Sequence, residues 1–176
     1  KTASHKKNMK LTSYIKPNQI KLELDTKMDK ELPENINIAR YKREKKESVL
    51  IEITELFYNS GKISKKTELF NDLAFREKKA TTAIGNGLAI PHVRTIQAKD
   101  LIIAFARSTE GIEYDAPDNN LVHLFFCLVT PTYNDKLYLK VLAQIANFLK
   151  NENFKQQLME KQNEHEIIKL ITHSEF

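Results

Sequence analysis

The stretch that decides the fold is REKKATTAIGNGLAIPH, from Arg76 to His92. The segment Thr81–Gly87 predicts a turn, because its Gly85-Asn86-Gly87 part tolerates positive φ, and the short apolar run after it predicts a strand. Pro91 is expected to end that strand, because proline has no N–H to donate to the ladder. The sequence therefore predicts that His92 stands at a strand end, where loops on a rigid scaffold commonly form functional sites.

The residue types around His92 suit phosphoryl chemistry. An imidazole near its usual pKa is partly neutral at pH 7, so one ring nitrogen is free to act as a nucleophile. Arg76, together with the Thr and Asn side chains of the turn, supplies donors that suit phosphoryl oxygens. A lone histidine after a strand is more often a structural residue, and on these residues alone both interpretations stay open.

The chain before this stretch is predicted to be mainly helical. The alternation in IKLEL, Ile20–Leu24, indicates one strand. A helix is predicted from Ser48 to Asn59, because its apolar residues recur at helical spacing. Ser64 is the expected N-cap of a second helix, which ends near residues 76–79. The charged segment Pro33–Lys46 is interpreted as a surface insertion or the frayed start of a helix.

Strands and then helices follow His92. Residues 101–106, LIIAFA, predict a strand, and residues 121–129, LVHLFFCLV, predict a central one because both faces are apolar. Turn signals occupy residues 111–120. The C-terminal third is predicted to be helical, with an apolar stripe from Tyr138 onward and a second helical segment near residues 154–159. This order indicates a single α/β domain, a mixed β-sheet flanked by α-helices.

Composition narrows the functional classes. The hydrophobic fraction of 41% and charged fraction of 29% are ordinary for a globular domain of 176 residues. No apolar run approaches the length that spans a bilayer, so we expect no membrane insertion. Cys127 is the single cysteine, which favours a reducing, cytoplasmic setting. Residues 1–10 are predicted to be a disordered lead-in or a cloning remnant.

The charge distribution argues against nucleic acid as a partner. Residues 1–50 hold 13 Lys and Arg against 7 Asp and Glu, whereas residues 51–176 hold 15 against 16. The excess therefore lies in the N-terminal segment, and no basic stripe with interleaved aromatic residues is present. Nucleotide-binding, dinucleotide-binding and hydrolase motifs are also lacking, and the histidine spacing favours no metal. We expect neither a cofactor nor a metal.

Here the sequence resembles a known family, the mannitol/fructose-type (type 2) enzyme IIA domains of the phosphoenolpyruvate-dependent sugar phosphotransferase system, including their nitrogen-regulatory subclass. The stretch from Arg76 to His92 carries the resemblance. Residues 111–131 and 138–154 also look like family segments, as does SVLIEITELFYNSGKI near the start. The resemblance covers residues 11–176, with the charged insertion near 33–46.

The resemblance implies a set of site residues. The phosphorylated histidine of the family falls on His92, and a family arginine near the active site falls on Arg76. Asn86 takes a position where some members carry a carboxylate, and Thr82 is expected to help Arg76 stabilise phosphoryl oxygens. Tyr138 falls where many members have a second histidine. A tyrosine there can donate a hydrogen bond but cannot supply positive charge.

The implied function is that of a cytoplasmic phosphocarrier. His92 would accept a phosphoryl group from the phosphorylated histidine phosphocarrier protein. The group would pass to an enzyme IIB in sugar uptake, or its presence would regulate a partner. The alternatives are a regulatory binding protein whose partners depend on phosphorylation state, and a degenerate module without catalytic activity. His123 and Cys127, inside an apolar strand, are predicted to be core residues.

Overall fold

The computed structural model describes residues 10–175, and the prediction for residues 1–9 lies outside this range. Two short 3-10 helices, Leu11–Ser13 and Pro17–Gln19, precede the main elements. Within the described range, five α-helices and six strands follow one another. They are β1 (Ile20–Lys21), α1 (Ile38–Tyr58), α2 (Lys66–Lys79), β2 (Ala83–Gly85), β3 (Leu88–Ala89), β4 (His92–Arg94), β5 (Ile102–Ile112), β6 (Val122–Thr130), α3 (Asp135–Phe148), α4 (Glu152–Glu160) and α5 (Glu164–Ser174).

The six strands form one mixed sheet, as predicted. Its order is β1-β5-β6-β3-β2, and β4 pairs with β6 as well. β5 and β6 are antiparallel, whereas β3 and β4 both run parallel to β6. These two short strands follow one edge of β6 in succession, with Leu88 opposite Leu124 and His92 opposite Leu128. The register therefore places His92 near the C-terminal end of the central strand.

Helices cover both faces of the sheet. On β6, Phe125, Cys127 and Val129 belong to the core beneath α1 and α2. The alternate residues Leu124, Phe126 and Leu128 belong to the core beneath α3, α4 and α5. Burying each large apolar side chain contributes about 1.5–3 kcal/mol, so a central strand covered on both faces needs an apolar sequence throughout. No helix within residues 10–175 is long and apolar enough to cross a membrane.

The first long helix begins ten residues earlier than predicted. α1 starts at Ile38, and the Asn37 side chain caps it by accepting a hydrogen bond from the Arg40 N–H at 3.0 Å. The charged residues to Lys46 therefore form regular helical turns rather than a frayed start. These residues show no apolar periodicity in the sequence, because the one among them that is buried, Lys46, is charged. That residues 33–46 are an insertion relative to the family stays a prediction.

Three local predictions near the ends of elements are wrong. Only Ile20 and Lys21 of the predicted first strand form a strand, although the Leu24 N–H also donates to the Arg107 carbonyl on β5 at 2.8 Å. The N-cap of α2 is Lys65, because the Ser64 hydroxyl instead donates to the Gln97 side chain at 2.8 Å. Residues 83–85, predicted as a turn, form β2 and pair with β3.

The segment around Pro91 also differs from the prediction. Pro91 interrupts the strand without ending its pairing with β6, since its carbonyl accepts a hydrogen bond from the Leu128 N–H at 3.0 Å. His92 consequently begins strand β4, where we had expected it to follow the last residue of a strand. A strand at this position fixes the direction of the His92 side chain more firmly than a loop would.

Candidate active site

The imidazole of His92 is half-buried and its two nitrogens have different neighbours. Nδ1 lies 2.5 Å from the Ile90 carbonyl oxygen, and Nε2 lies 3.4 Å from Arg76 Nη2. A carbonyl only accepts hydrogen bonds, so Nδ1 carries the ring proton of the neutral form. Nε2 then keeps its lone pair, pointing toward the guanidinium. This arrangement presents one defined nitrogen as a nucleophile.

The pKa of His92 is lowered below its usual value of 6.5. Burial is the main cause, since it disfavours the charged ring, and the positive charge of Arg76 acts in the same direction. The Ile90 carbonyl and the Glu77 carboxylate oppose the shift. The net effect keeps the ring neutral near pH 7, which is the state that a nucleophilic nitrogen requires.

Arg76 stands in the last turn of α2, where a cation interacts favourably with the helix dipole. Its Nη1 donates to the Ala80 carbonyl at 2.9 Å, which holds the guanidinium at the helix end. The other terminal nitrogen, Nη2, faces His92. A group attached to His92 Nε2 would therefore meet a fixed, planar donor, the geometry that suits a phosphoryl group.

Tyr138, on α3, lies beside the imidazole. Its ring centroid is 6.0 Å from that of His92, with the two planes tilted by 44°. Burial raises the pKa of the Tyr138 hydroxyl, although Arg76 and Arg94 act to lower it. The hydroxyl therefore stays protonated at neutral pH and is available as a donor.

Arg94 is a residue of this region that the sequence analysis missed. It follows His92 by two positions on β4, so both side chains project from the same face of the strand. Between them, Val93 packs into the core beneath α1 and α2. The Arg94 Cζ lies 5.8 Å from the Tyr138 ring centroid, and its guanidinium pairs with Asp135, the first residue of α3. The signal that would have found it is the alternation of a strand starting at His92.

The structure does not place Thr82 at the imidazole. Thr82 is buried, and both its N–H and its hydroxyl donate to the Glu77 carboxylate. That carboxylate also pairs with Lys46 Nζ at 2.9 Å and accepts from the Tyr114 hydroxyl at 3.1 Å. This buried network connects α1, the end of α2 and the start of β2. Glu77 and Lys46, neither of which was predicted, thus support the segment that carries Arg76.

Asn86 is likewise separate from His92. It forms the turn between β2 and β3 with a φ of 56°, and its N–H donates to Asp118 at 2.9 Å. It lines a cavity of about 380 Å³ together with His123 and Met159. β3 pairs near the start of β6 and β4 near its end, a four-residue offset that corresponds to about 13 Å along the strand.

The predicted core residues His123 and Cys127 are where the sequence placed them, in β6. Cys127 is buried, and burial raises the pKa of its thiol well above the usual value, which makes it unreactive. His123 is only half-buried, and its Nδ1 lies 3.0 Å from the Ser108 carbonyl oxygen. Within residues 10–175, no three His, Cys, Asp or Glu side chains are grouped to hold a metal ion.

Comparison with known proteins identifies the family. Residues 32–174 match the family model for "Phosphoenolpyruvate-dependent sugar phosphotransferase system, EIIA 2". The chain belongs to this enzyme IIA family. It is 28% identical over 163 residues to the fructose-specific EIIABC component of Bacillus subtilis, which covers 93% of the chain and 23% of that protein. The chain thus spans about a quarter of that relative.

Shorter relatives and solved structures are also similar to the chain. The fructose-specific EIIA component of Haloferax volcanii is 30% identical over 118 residues, covering 67% of the chain and 77% of that protein. The nitrogen regulatory protein IIA-Ntr of Neisseria meningitidis superposes with a TM-score of 0.74 at 25% identity, covering 92% of the chain and 99% of that structure. The mannitol enzyme IIA of Escherichia coli, solved with phosphorylated IIB, shares the fold at 16% identity, with a TM-score of 0.66 and coverage of 90% and 97%.

Proposed function

We propose that this enzyme IIA accepts a phosphoryl group on His92 Nε2 from the phosphorylated histidine phosphocarrier protein. The observation that carries the proposal is the pair of contacts made by the imidazole. Nδ1 is held by the Ile90 carbonyl, which leaves Nε2 unprotonated opposite Arg76. The lowered pKa of His92 supports the same conclusion, since the neutral ring is the nucleophile.

The transfer would be an in-line displacement at phosphorus. The Nε2 lone pair forms the new N–P bond while the N–P bond of the donor breaks, and the bonding electrons return to the donor imidazole. Such a transition state is loose, so positioning and charge stabilisation supply most of the catalysis. Arg76 and the Tyr138 hydroxyl would both donate hydrogen bonds to the equatorial oxygens. Arg94 would add a second positive charge nearby.

Thr82 and Asn86 have other roles in this proposal. Thr82 would act indirectly, because its donors are occupied by Glu77, the residue after Arg76. Asn86 would contribute to the fold of the β2–β3 turn. Neither side chain needs to contact the phosphoryl group.

The phosphoryl group would then be used in one of two ways in the cytoplasm. In sugar uptake it passes to a thiol of an enzyme IIB, in keeping with the mannitol enzyme IIA that was solved with phosphorylated IIB. In regulation it alters which partner the chain binds, in keeping with the resemblance to a nitrogen regulatory protein. The intact pairing of Arg76 with His92 favours both uses over a degenerate module without catalytic activity.

Mass spectrometry of the intact chain tests the acceptor. The wild type and a His92→Ala variant are incubated with phosphoenolpyruvate, enzyme I and the histidine phosphocarrier protein. We expect one acid-labile phosphoryl group on the wild type and none on the variant. Equal labelling of both would mean that His92 is not the acceptor. Adding an enzyme IIB then separates the two uses, because only a transport component loses its label to the IIB thiol.

A further inference from the structure

The charged residues at the start of α1, which have no part in the proposed phosphoryl transfer, form one wall of a cavity. The cavity lies between α1 and α2 and has a volume of about 590 Å³. It is lined from α1 by Ile38, Ala39, Lys42, Arg43, Lys46, Glu47 and Leu50, from α2 by Ala74, Glu77 and Lys78, and after β5 by Asp115. The α1 residues recur at helical spacing and so share one face. A cavity of about 300–1,000 Å³ is typical of a small-molecule site.

The floor of the cavity is apolar and holds no unpaired charge. Leu50 is buried, and Ala74 packs against the core beneath α1 and α2. Lys46 is buried as well, and its Nζ lies 2.9 Å from Glu77 Oε2 and 3.2 Å from Asp115 Oδ2. Because the ammonium of Lys46 is shared by these two carboxylates, the floor offers a ligand apolar contact and no free ion.

The rim of the cavity carries positive charge that is only partly matched. Lys42 is loosely paired, with its Nζ 3.9 Å from Glu113 Oε1. Arg43 and Lys78 are exposed, and neither side chain has an ion pair or hydrogen bond with a residue in the described part of the chain. Glu47 is the lining carboxylate that also lacks such a partner. Two unpaired cations against one unpaired carboxylate leave one positive charge, which favours a singly charged anion.

We propose that this cavity binds a small amphipathic carboxylate, with its apolar body against Leu50 and Ala74 and its carboxylate beside Arg43 and Lys78. A guanidinium can donate two parallel hydrogen bonds to a carboxylate, and the ammonium adds a further donor. His92 does not line the cavity, so binding here is independent of phosphoryl transfer. Phosphorylation without binding would refute the cavity proposal alone, and binding without phosphorylation would refute the proposed function alone.

An NMR titration of the full chain with octanoate, a carboxylate with a linear apolar chain, tests the proposal. We expect saturable shifts of the backbone amides of Ala39, Leu50 and Ala74. Octylammonium, which has the same chain and the opposite charge, should bind about tenfold more weakly. Hexanoate should also bind about tenfold more weakly, because its shorter chain buries less apolar area. Absence of saturable shifts, shifts spread beyond the cavity, or equal binding of octylammonium would overturn the proposal.

Two matched double variants test the position of the carboxylate. Arg43→Gln/Lys78→Gln should weaken octanoate binding about tenfold, because both unpaired donors are lost. Arg40→Gln/Lys79→Gln is the control, since it removes an arginine from α1 and a lysine from α2 that do not line the cavity. Equal weakening in the two double variants would mean that octanoate responds only to the overall charge, and the proposal would fail.

Filling the cavity tests the position of the apolar body. Ala39→Phe places an aromatic ring at an exposed position of the α1 wall, so the fold should be retained, which circular dichroism checks. We expect no saturable octanoate shifts in this variant. Unchanged octanoate binding would overturn the proposal. Sedimentation of the wild type as a dimer that Ala39→Phe dissociates would also overturn it, because the cavity would then be covered by a second copy of the chain.

Discussion

Two half-buried histidines lie near opposite ends of the central strand, and each makes the same kind of contact through its Nδ1. His92 and His123 each place Nδ1 against a backbone carbonyl, that of Ile90 at 2.5 Å and that of Ser108 at 3.0 Å. The second nitrogen differs. At His92 it faces a guanidinium, whereas the His123 ring packs against Gly111, where a Cβ would lie 2.8 Å from His123 Cε1.

If His92 is the acceptor, as proposed, an oriented imidazole is not sufficient for phosphoryl transfer. Both backbone carbonyls select the same ring tautomer, so both histidines present Nε2 without a proton when neutral. The region of His92 adds a guanidinium at that nitrogen and a protonated phenol beside the ring. The His123 ring instead fills space beside a register shift in β5. Under this proposal, the surroundings and not the histidine itself distinguish the phosphoryl acceptor from a structural histidine.

Removing the guanidinium should therefore have the largest effect. In Arg76→Gln, we expect the rate of phosphorylation to fall about 100-fold, within the range seen when a preorganised donor to a transition state is lost. Arg76→Lys should restore part of the rate, because it keeps the charge but loses the planar fork. Rapid-quench measurements of labelled chain supply the rates. Arg40→Gln, an exposed arginine on α1 paired with Glu44, serves as the control. If the phosphorylation rate of Arg76→Gln falls by less than threefold, the guanidinium does not distinguish His92 from His123.

Substitutions beside His123 should change the free energy of unfolding rather than the rate of phosphorylation. Gly111 has a φ of +89°, and a methyl group there would lie 2.7 Å from Leu121 Cβ. Gly111→Ala should thus lower the free energy of unfolding by about 2–3 kcal/mol through backbone strain and overpacking. Urea unfolding followed by circular dichroism measures the change. Gly61→Ala is the control for positive φ without crowding, since nothing lies within 4 Å of a Cβ there. Equal destabilisation in the two variants would show that contact with His123 does not matter.

The pKa of His92 should depend on the positive charge of Arg76 beside it. Its pKa is lowered, chiefly by burial and then by Arg76, so the ring should lose its proton at a pH below 6.5. Below that midpoint the imidazolium lacks a nucleophilic lone pair, so reactivity is lost as the pH falls. In Arg76→Gln one of the lowering causes is gone, and the midpoint should move upward. Nitrogen chemical shifts of the imidazole, followed by NMR, report both midpoint and tautomer. A wild-type midpoint above 6.5 would contradict the burial argument.

Sequence reasoning succeeded where periodicity or a compact motif carried the information. The apolar run of β6 predicted a strand covered on both faces, and the stretch ending in Pro91-His92 predicted a turn and a short strand before the histidine. It failed where a contact is made by residues distant in the chain. The partnership of Glu77 with Lys46 depends on how α1 and α2 pack, and the pairing of Arg94 with Asp135 depends on where α3 begins. Neither pairing has a fixed spacing that a single sequence could reveal.

Substitution of Asn86 should have the smallest effect on the phosphorylation rate. It tests most directly how β3 and β4 pair along β6. The sequence placed it with His92, yet β3 and β4 pair with different stretches of β6, and Asn86 lines the cavity beside His123. Its side chain should therefore not contact the phosphoryl group. We expect Asn86→Asp to change the phosphorylation rate less than twofold, because a charge about 13 Å or more away across solvent is strongly screened at physiological salt. Asp is preferred to Ala as the replacement because it also tolerates the φ of 56°. A loss of tenfold or more would mean that the β2–β3 turn approaches His92 during transfer, and the separation between the two histidine regions would then hold only for the resting chain.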